Sequence, residues 1–256
     1  MPILIRVLVV SILLSPLACT EQSADEARLQ AALADPSRPE ADRARDAQRK
    51  PDQIVAFWGI DSGMTVLDLF AAGGYYTEVL AAATGPDGKV YAHNNNFLLT
   101  VRDGVYDKEM TTRLADSRLP NVERLDREVQ EMNLEPESLD AINFVLNYHD
   151  VYGFTEEAGG TTEAVLGLFK SLLKPGGVLG IIDHSANPGP YQSELHRIDE
   201  NIVIEEVTGA GFVLEAQSDL LRNPDDDRTR LVFDPELRGH TDRFVLLFRK
   251  PAVPAP

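Results

Sequence analysis

Cysteine and positive charge are both scarce in this chain of 256 residues. Cys19 is the only cysteine, which excludes an internal disulfide and a metal site built from several thiolates. Lys and Arg number 24 against 41 Asp and Glu, giving a formal net charge of −17. Phosphate binding needs clustered cations, so nucleic acid is excluded as a partner and a small molecule is favoured. The hydrophobic fraction of 43% is enough to build a sizeable core.

The first 19 residues have the layout of an export signal. Arg6 precedes an uncharged run from Val7 to Thr20, which is shorter than the roughly 20 apolar residues that span a bilayer. Ser15-Pro16-Leu17-Ala18-Cys19 resembles a bacterial lipoprotein cleavage site, in which the cysteine becomes the lipidated first residue. We therefore expect an exported protein, either periplasmic or anchored to the membrane by a lipid on Cys19. An ordinary export signal is the alternative, and an unprocessed leader would leave the protein in the cytoplasm.

Residues 20–50 are rich in Ala, Asp, Glu and Arg. This composition predicts a charged tether with a weakly helical, solvated N-terminal segment, interrupted near Pro36 and Pro39. An alternative interpretation is that Asp46 and Arg49, which lie just before the core, fold over a ligand.

Residues 51–250 alternate between apolar strand patterns and helical patterns, and residues 251–256 form a short tail. Strands are predicted at 65–70, 89–93, 121–125, 141–146, 178–182, 212–216 and 243–249, with helices near 51–58, 75–83, 162–173 and 196–208. This alternation predicts one α/β domain, with a mostly parallel sheet covered by helices on both faces.

A glycine-containing turn follows the first predicted strand. Val66-Leu67-Asp68-Leu69 leads into Phe70-Ala71-Ala72-Gly73-Gly74, and a helix follows. A strand ending near an acid, then small residues and a helix start, is typical of a nucleotide-type site, although a plain strand–helix turn is the alternative. Further along, Leu173-Lys174-Pro175-Gly176-Gly177 precedes the fifth strand and Gly211-Phe212 opens the sixth.

Together these motifs resemble class I S-adenosylmethionine-dependent methyltransferases, from about Asp46 to Lys250. Within that family the chain is similar to uncharacterised predicted bacterial methyltransferases. The resemblance implies a Rossmann-like methyltransferase fold with seven strands, of which the last, 243–249, is antiparallel. It also implies a methyltransferase enzyme that uses S-adenosylmethionine as cofactor and methylates a small-molecule acceptor.

The resemblance also assigns positions to the cofactor. The implied cofactor-binding residues are Asp68, Ala71, Gly73, Gly74, His93, Asn94, Glu128 and Asn147. The first four would line its methionine end, His93 and Asn94 stand where the family usually has a ribose-binding acid, and Glu128 stands at the adenine. The family's G-x-G-x-G pattern is altered here, because Phe70 and Ala72 replace two glycines. Alanine is tolerated there unless the backbone needs a positive φ.

The chemistry is expected after the fourth strand, in Asn147-Tyr148-His149-Asp150. Methyl transfer from a sulfonium depends mainly on holding the acceptor in line. His149 is the predicted base or acceptor-orienting group, with Asp150 beside it and Tyr148 stacking on the substrate.

A metal ion is a weighed alternative. His149-Asp150, Asp183-His184 and His196 could converge on one cation, since imidazole and carboxylate suit zinc, iron or manganese. Sequence spacing does not fix a coordination sphere, so no metal is assigned.

The segment Ser218–Asp242 is long for a connection between the last two strands. It predicts either an ordered cover over the mouth of the site, with Arg222 or Arg230 meeting an anionic substrate, or a solvated loop. S-adenosylmethionine is made in the cytoplasm, whereas the leader implies export. The competing hypothesis is therefore a non-catalytic exported lipoprotein that uses the methyltransferase fold as a ligand-binding module. A nicotinamide oxidoreductase shares the strand–glycine–helix start but fits the closing strand less well.

Overall fold

Seven strands form one sheet at the centre of the molecule, whose computed structural model describes residues 17–152 and 161–252. The strands are β1 (Thr65–Leu69), β2 (Lys89–Asn94), β3 (Val122–Asp126), β4 (Leu139–Val145), β5 (Leu173–His184), β6 (Val213–Ser218) and β7 (Arg243–Arg249). The helices are α1 (Leu17–Ala34), α2 (Glu40–Arg49), α3 (Pro51–Trp58), α4 (Tyr75–Thr84), α5 (Asn96–Leu114), α6 (Tyr148–Tyr152), α7 (Thr162–Leu172) and α8 (Glu200–Gly209). None of the described helices is both long and apolar enough to cross a membrane.

The strand order is β3-β2-β1-β4-β5-β7-β6. β1 pairs in parallel with β2 on one side and with β4 on the other. β7 is antiparallel to both β5 and β6. These pairings confirm the predicted seven-stranded, mostly parallel sheet with an antiparallel last strand. The direction of winding reverses between β1 and β4, and ligands of such folds bind at the carboxyl ends of strands at this switch point.

The central strands of the sheet are buried on both faces, and β7 shows how the sequence fits each face. Phe244, Leu246 and Phe248 belong to one hydrophobic cluster, whereas Val245 and Leu247 belong to the cluster on the opposite face. Successive strand residues point to opposite faces, so a continuous apolar run supplies both core layers at once.

The N-terminal segment differs from the predicted solvated tether. α1 and α2 are separated around Pro36 and Pro39, as expected, but α1 packs against α4. Leu29 is buried in a core cluster. The Arg28 guanidinium donates to the carbonyl oxygens of Ala82 at 3.0 Å and Ala83 at 2.8 Å. The predicted leader lies largely outside the described residues, which begin at residue 17.

The helix predicted at 196–208 is shorter, because its first residues pair with the sheet instead. The Ile198 amide donates to His184 O at 3.0 Å, and the Ala186 amide donates to Ile198 O at 2.9 Å. α8 then begins after Asp199, whose side chain accepts from the Asn201 amide and caps the helix. His196 therefore lies in a turn next to the end of β5, not on a helix.

Candidate active site

A cavity of about 1970 Å³ opens at the carboxyl ends of the strands. Its wall includes the turn after β1 and the segments after β2, β4 and β5, together with parts of α2, α5 and the connection between β6 and β7. Small-molecule sites are commonly about 300–1,000 Å³. This cavity therefore has room for a nucleoside-sized cofactor and a second molecule.

The turn after β1 keeps a glycine-like backbone without two of the expected glycines. Phe70 has φ 51° and Ala72 has φ 50°, a left-handed conformation that costs an L-residue about 1–2 kcal/mol. The Phe70 side chain turns inward, with its ring centre 5.3 Å from that of His93 and 6.1 Å from that of Phe144. The bulky side chain therefore packs into the core and leaves the turn open to the cavity.

Asn94 holds this turn in place. Its Oδ1 accepts from the Ala72 amide at 2.8 Å, and its Nδ2 donates to the Ala72 carbonyl at 3.0 Å. The Ala71 amide donates to the carbonyl of His93 at 2.8 Å. These three hydrogen bonds join the end of β2 to Ala71 and to the strained Ala72, which explains how alanine keeps a left-handed backbone here.

The predicted ribose contacts of His93 and Asn94 are corrected by this arrangement, since both side chains are fully buried and neither lines the cavity. His93 donates from Nε2 to the Arg127 carbonyl at 2.9 Å, and burial lowers the His93 pKa to about 4. Asn95 and Asn96 line the cavity instead, because β2 runs one residue further than predicted. Glu128 also lines it, and its Oε1 accepts from the Asn96 amide at 3.2 Å.

Asp68 lies in the cavity wall at the end of β1. Its carboxylate accepts from Thr77 Oγ1 at 2.7 Å and from Asn143 Nδ2 at 2.6 Å. Burial raises the Asp68 pKa to about 6, although both hydrogen bonds oppose the rise. Ala71 and Gly73 line the cavity beside it.

Gly74 does not line the cavity but precedes the first turn of α4, with φ 85°. A Cβ at this position would lie 2.9 Å from the Arg113 side chain. Glycine is therefore needed there for packing as well as for its backbone angle.

α2 and α5 close the cavity next to the glycine turn. Arg113 Nε donates to Gly73 O at 2.7 Å, and its guanidinium forms buried ion pairs with Glu78 and with Asp42, the latter at 2.6 Å. Arg49 lies 4.5 Å from the centre of the Tyr75 ring. This arrangement resembles the alternative interpretation, in which the segment of Asp46 and Arg49 folds over a ligand, because α2 forms part of the cavity wall.

The segment after β4 contributes Asn147, His149 and Asp150 to the wall. Tyr148, predicted to stack on a substrate, is instead fully buried. Its hydroxyl donates to Glu206 at 2.9 Å, and its ring packs 5.5 Å from Phe144. Tyr148 is therefore part of the core under the site, and the stacking role is corrected.

His149 is oriented by Asp183 at the end of β5. His149 Nδ1 lies 2.8 Å from Asp183 Oδ1, and the His149 amide donates to Asp183 Oδ2 at 2.9 Å. Burial alone would lower the His149 pKa, but the carboxylates of Asp183 and Asp150 outweigh burial and raise it. The same pairing lowers the Asp183 pKa in spite of complete burial. His184, which also lines the cavity, has its pKa lowered to about 3 by burial.

The connection between β6 and β7 covers part of the cavity. This is the ordered cover that was one of the two interpretations of Ser218–Asp242. Phe233 is 55% exposed, lines the cavity, and places its ring centre 5.0 Å from that of His196. Arg222 and Arg230, predicted to meet an anionic substrate, do not line the cavity. Their guanidinium groups instead pair with neighbouring carboxylates, including Glu200 for Arg222 and Asp234 for Arg230.

A buried ion pair anchors this cover, and no local sequence pattern indicates it. The Arg197 guanidinium binds both oxygens of Asp226, at 2.9 and 3.1 Å, and its Nε donates to the Arg230 carbonyl at 2.9 Å. Arg197 and Asp226 are almost completely buried. Their pairing ties the residue after His196 to the cover.

Comparison with known proteins finds relatives only among solved structures, since no family model and no curated protein matches. An S-adenosylmethionine-dependent methyltransferase from Aquifex aeolicus is similar over 88% of this chain and 97% of its own, with TM-score 0.59 and 20% identity. The [4+2]-cyclase SpnF is similar over 91% of this chain and 96% of its own, with TM-score 0.59 and 16% identity. A phosphoethanolamine N-methyltransferase from Haemonchus contortus, in complex with S-adenosylmethionine, is similar over 79% of this chain and 52% of its own, with TM-score 0.56 and 14% identity.

The chain has the class I methyltransferase fold. The resemblance in the sequence is therefore confirmed at the level of the fold. The methyltransferase fold alone does not decide the reaction, because a cyclase shares it. The activity therefore depends on the residues that line the cavity.

Proposed function

We propose that this protein is an S-adenosylmethionine-dependent methyltransferase that acts on a small-molecule acceptor. The observation that carries the proposal is the turn after β1. It keeps a left-handed backbone at Phe70 and Ala72 and opens onto a cavity with room for two molecules. Maintaining this strained turn has a physical reason if a ligand must approach the backbone closely.

The cofactor would lie along the carboxyl ends of β1 and β2. Asp68 supplies a carboxylate beside Ala71 and Gly73, where the cationic methionine end of the cofactor would be attracted. Asn95, with Glu128 nearby, replaces His93 and Asn94 as the proposed contact to the ribose and adenine. Amide and carboxylate groups accept hydrogen bonds from hydroxyl and amino groups, so this end of the cavity suits a nucleoside.

The acceptor would lie at the other end of the cavity. Asn147, His149 and Asp150 form the wall there, and Phe233 lies against His196 at the cover. Methyl transfer from a sulfonium is accelerated mainly by holding the acceptor atom in line with the methyl group. We assign the acceptor-orienting role to His149, because Asp183 fixes its ring.

Isothermal titration calorimetry with S-adenosylmethionine and with its demethylated product tests the proposal. We expect saturable binding of both, weakened about tenfold or more in Asp68→Ala. Asp61→Ala is the matched control, because Asp61 is exposed in the turn that precedes β1, and it should bind like the wild type. A folded wild-type sample that binds neither compound would refute the methyltransferase and favour the non-catalytic binding module.

We also propose export, with lipid attachment at Cys19, from the sequence of the leader alone. Intact mass spectrometry of the protein purified from its native host is the test. A mature chain that begins at a modified Cys19 supports the proposal. A chain that still begins at Met1 contradicts it and favours the cytoplasm.

A further inference from the structure

Three ligand-type atoms meet at the acceptor end of the cavity. His149 Nε2 lies 3.2 Å from His196 Nδ1, His149 Nε2 lies 3.5 Å from Asp150 Oδ1, and His196 Nδ1 lies 3.3 Å from the same oxygen. The three atoms therefore form a nearly equilateral triangle. All three residues line the cavity, so the triangle lies in its wall.

These distances match the spacing of ligands around one metal ion. Two ligand atoms about 2.0–2.1 Å from a tetrahedral zinc ion lie about 3.3–3.4 Å apart. A hydrogen bond between a charged imidazole and a carboxylate is normally shorter, about 2.7–2.9 Å. The two contacts of the Asp150 carboxylate are too long for such bonds, whereas the whole triangle fits a shared ion.

The neighbours of His149 fit a metal ligand as well. Asp183, which is completely buried, faces Nδ1 and the backbone amide of His149. A proton held on Nδ1 by this carboxylate leaves the lone pair of Nε2 directed at the other two ligand atoms. Histidines that bind metals almost always have such a carboxylate or carbonyl partner on the second ring nitrogen.

His196 is held in place by the fold. Its backbone has φ 52°, and each of the two residues that follow it is held by its own contacts. Arg197 is anchored in its buried pair with Asp226, and Ile198 is hydrogen-bonded to the end of β5. A non-glycine residue held in a left-handed conformation by its surroundings is a feature of functional sites.

We propose that His149 Nε2, His196 Nδ1 and Asp150 Oδ1 bind one divalent transition-metal ion, with a further coordination position open to the cavity. Imidazole and carboxylate ligands suit zinc, iron(II), cobalt(II) or manganese(II). The site itself does not depend on the proposed function. Its use does rest on that function: the open position would hold an oxygen, nitrogen or sulfur atom of the acceptor near the methyl group and favour its deprotonated form.

The test is direct metal binding by the full chain, purified without a polyhistidine tag and dialysed against a chelator. Calorimetry with Zn²⁺ should show one saturable site. Co²⁺ should give visible absorption bands of a nitrogen- and oxygen-coordinated ion, and Zn²⁺ should displace them. Both measurements are made without cofactor, so a metal site and a failure to bind S-adenosylmethionine can be observed separately.

Variants distinguish the site from adventitious binding. His196→Asn and Asp150→Asn should abolish the saturable site, and Asp183→Asn should weaken it by about 10–100-fold, the usual effect of removing an outer-shell partner. His240→Asn is the matched control, because this exposed histidine lies outside the triangle, and it should bind Zn²⁺ normally. Circular dichroism verifies that each variant is folded.

The proposal is overturned if folded wild-type protein shows no saturable site for Zn²⁺ or Co²⁺. It is equally overturned if His196→Asn and Asp150→Asn bind as tightly as the wild type. In either case the three side chains form only a hydrogen-bonded cluster.

Discussion

Residues with left-handed backbones surround the cavity although they are not glycines. Phe70 and Ala72 lie after β1, Leu146 follows β4, and His196 follows β5, each with φ between 50° and 59°. All four line the cavity. Each conformation costs free energy and persists only because neighbouring groups fix it. These backbone positions around the cavity therefore lower the free energy of unfolding.

Ala72→Gly should stabilise the protein. Glycine relieves about 1–2 kcal/mol of left-handed strain, but it raises the entropy of the unfolded chain by about 0.4–1 kcal/mol. We expect a gain of up to about 1.6 kcal/mol in the free energy of unfolding, measured by urea denaturation. Ala82→Gly, within α4, is the control and should lose about 0.5–1 kcal/mol. Equal losses in the two variants would show that the turn is not strained.

Cofactor binding should weaken in acid through Asp68, if the proposed function holds. Its pKa of about 6 in the free protein means that the carboxyl group is charged above this pH and neutral below it. The charged form attracts the cationic cofactor, so affinity should fall by up to about tenfold per pH unit below pH 6. Calorimetry across this range measures the effect. Asp68→Asn should bind weakly with no such dependence, and a parallel decline in that variant would assign the titration to another group.

At the scale of elements, local patterns predicted the strands because each is set by its own apolar residues. The strand predicted at 243–249 has the same bounds in the structure. The helix predicted to begin at 196 begins later in the structure, because Ile198 pairs with β5, a contact that no local pattern contains. The prediction of a solvated tether differs from the structure for the same reason. Helix α1, which contains Leu29, is held by burial against α4.

The site was predictable only in part. Asp68, Ala71, Gly73, Glu128, Asn147, His149 and Asp150 lie in the cavity wall. His93 and Asn94 do not, because β2 extends through Asn94 and both side chains are buried in the fold. The Arg197–Asp226 pair joins residues 29 apart in sequence, and spacing does not reveal such a contact.

Arg197→Met should destabilise the protein strongly, because it leaves the buried Asp226 carboxylate without its cationic partner. Removing one member of a buried ion pair typically costs about 3–5 kcal/mol, to be measured by urea denaturation. Arg230→Met is the control, and its surface pairs are worth at most about 1 kcal/mol. The double variant Arg197→Met with Asp226→Asn should recover part of the loss, because the side-chain amide is neutral and its oxygen can still accept from the Asp242 amide. A small effect of Arg197→Met alone would mean that the pair does not anchor the cover.

At the scale of the whole molecule, the folded unit extends further towards the N-terminus than the predicted domain at 51–250. α2 supplies Asp42 to the buried Arg113 and places Arg49 over Tyr75. α1 adds Leu29 to the core. The cavity thus depends on a segment whose composition alone resembles a solvated linker.

Two truncations test this dependence. Removing residues 1–50 takes Leu29 out of the core, a loss of about 1.5–3 kcal/mol, which corresponds to a fall in Tm of about 3–12 °C for a domain of this size. Removing only residues 1–24 keeps the contacts of Arg28 and Leu29 and should change Tm little. Differential scanning calorimetry compares the two. Equal Tm values would show that α1 and α2 are dispensable.

The pairing of Ser185 with Ile198 also affects how fast nearby backbone amide protons exchange with solvent. The amides of Ala186 and Ile198 are bonded across this pairing, so their protons should exchange with solvent as slowly as those of β5. Residues 187–195 close a loop next to the cavity, and this loop can open while Arg197 and both ends of the pairing stay attached. Amide exchange should therefore separate a fast loop from two slow ends. The structure next to the cavity would then move at the rate of a local opening, without unfolding of the sheet.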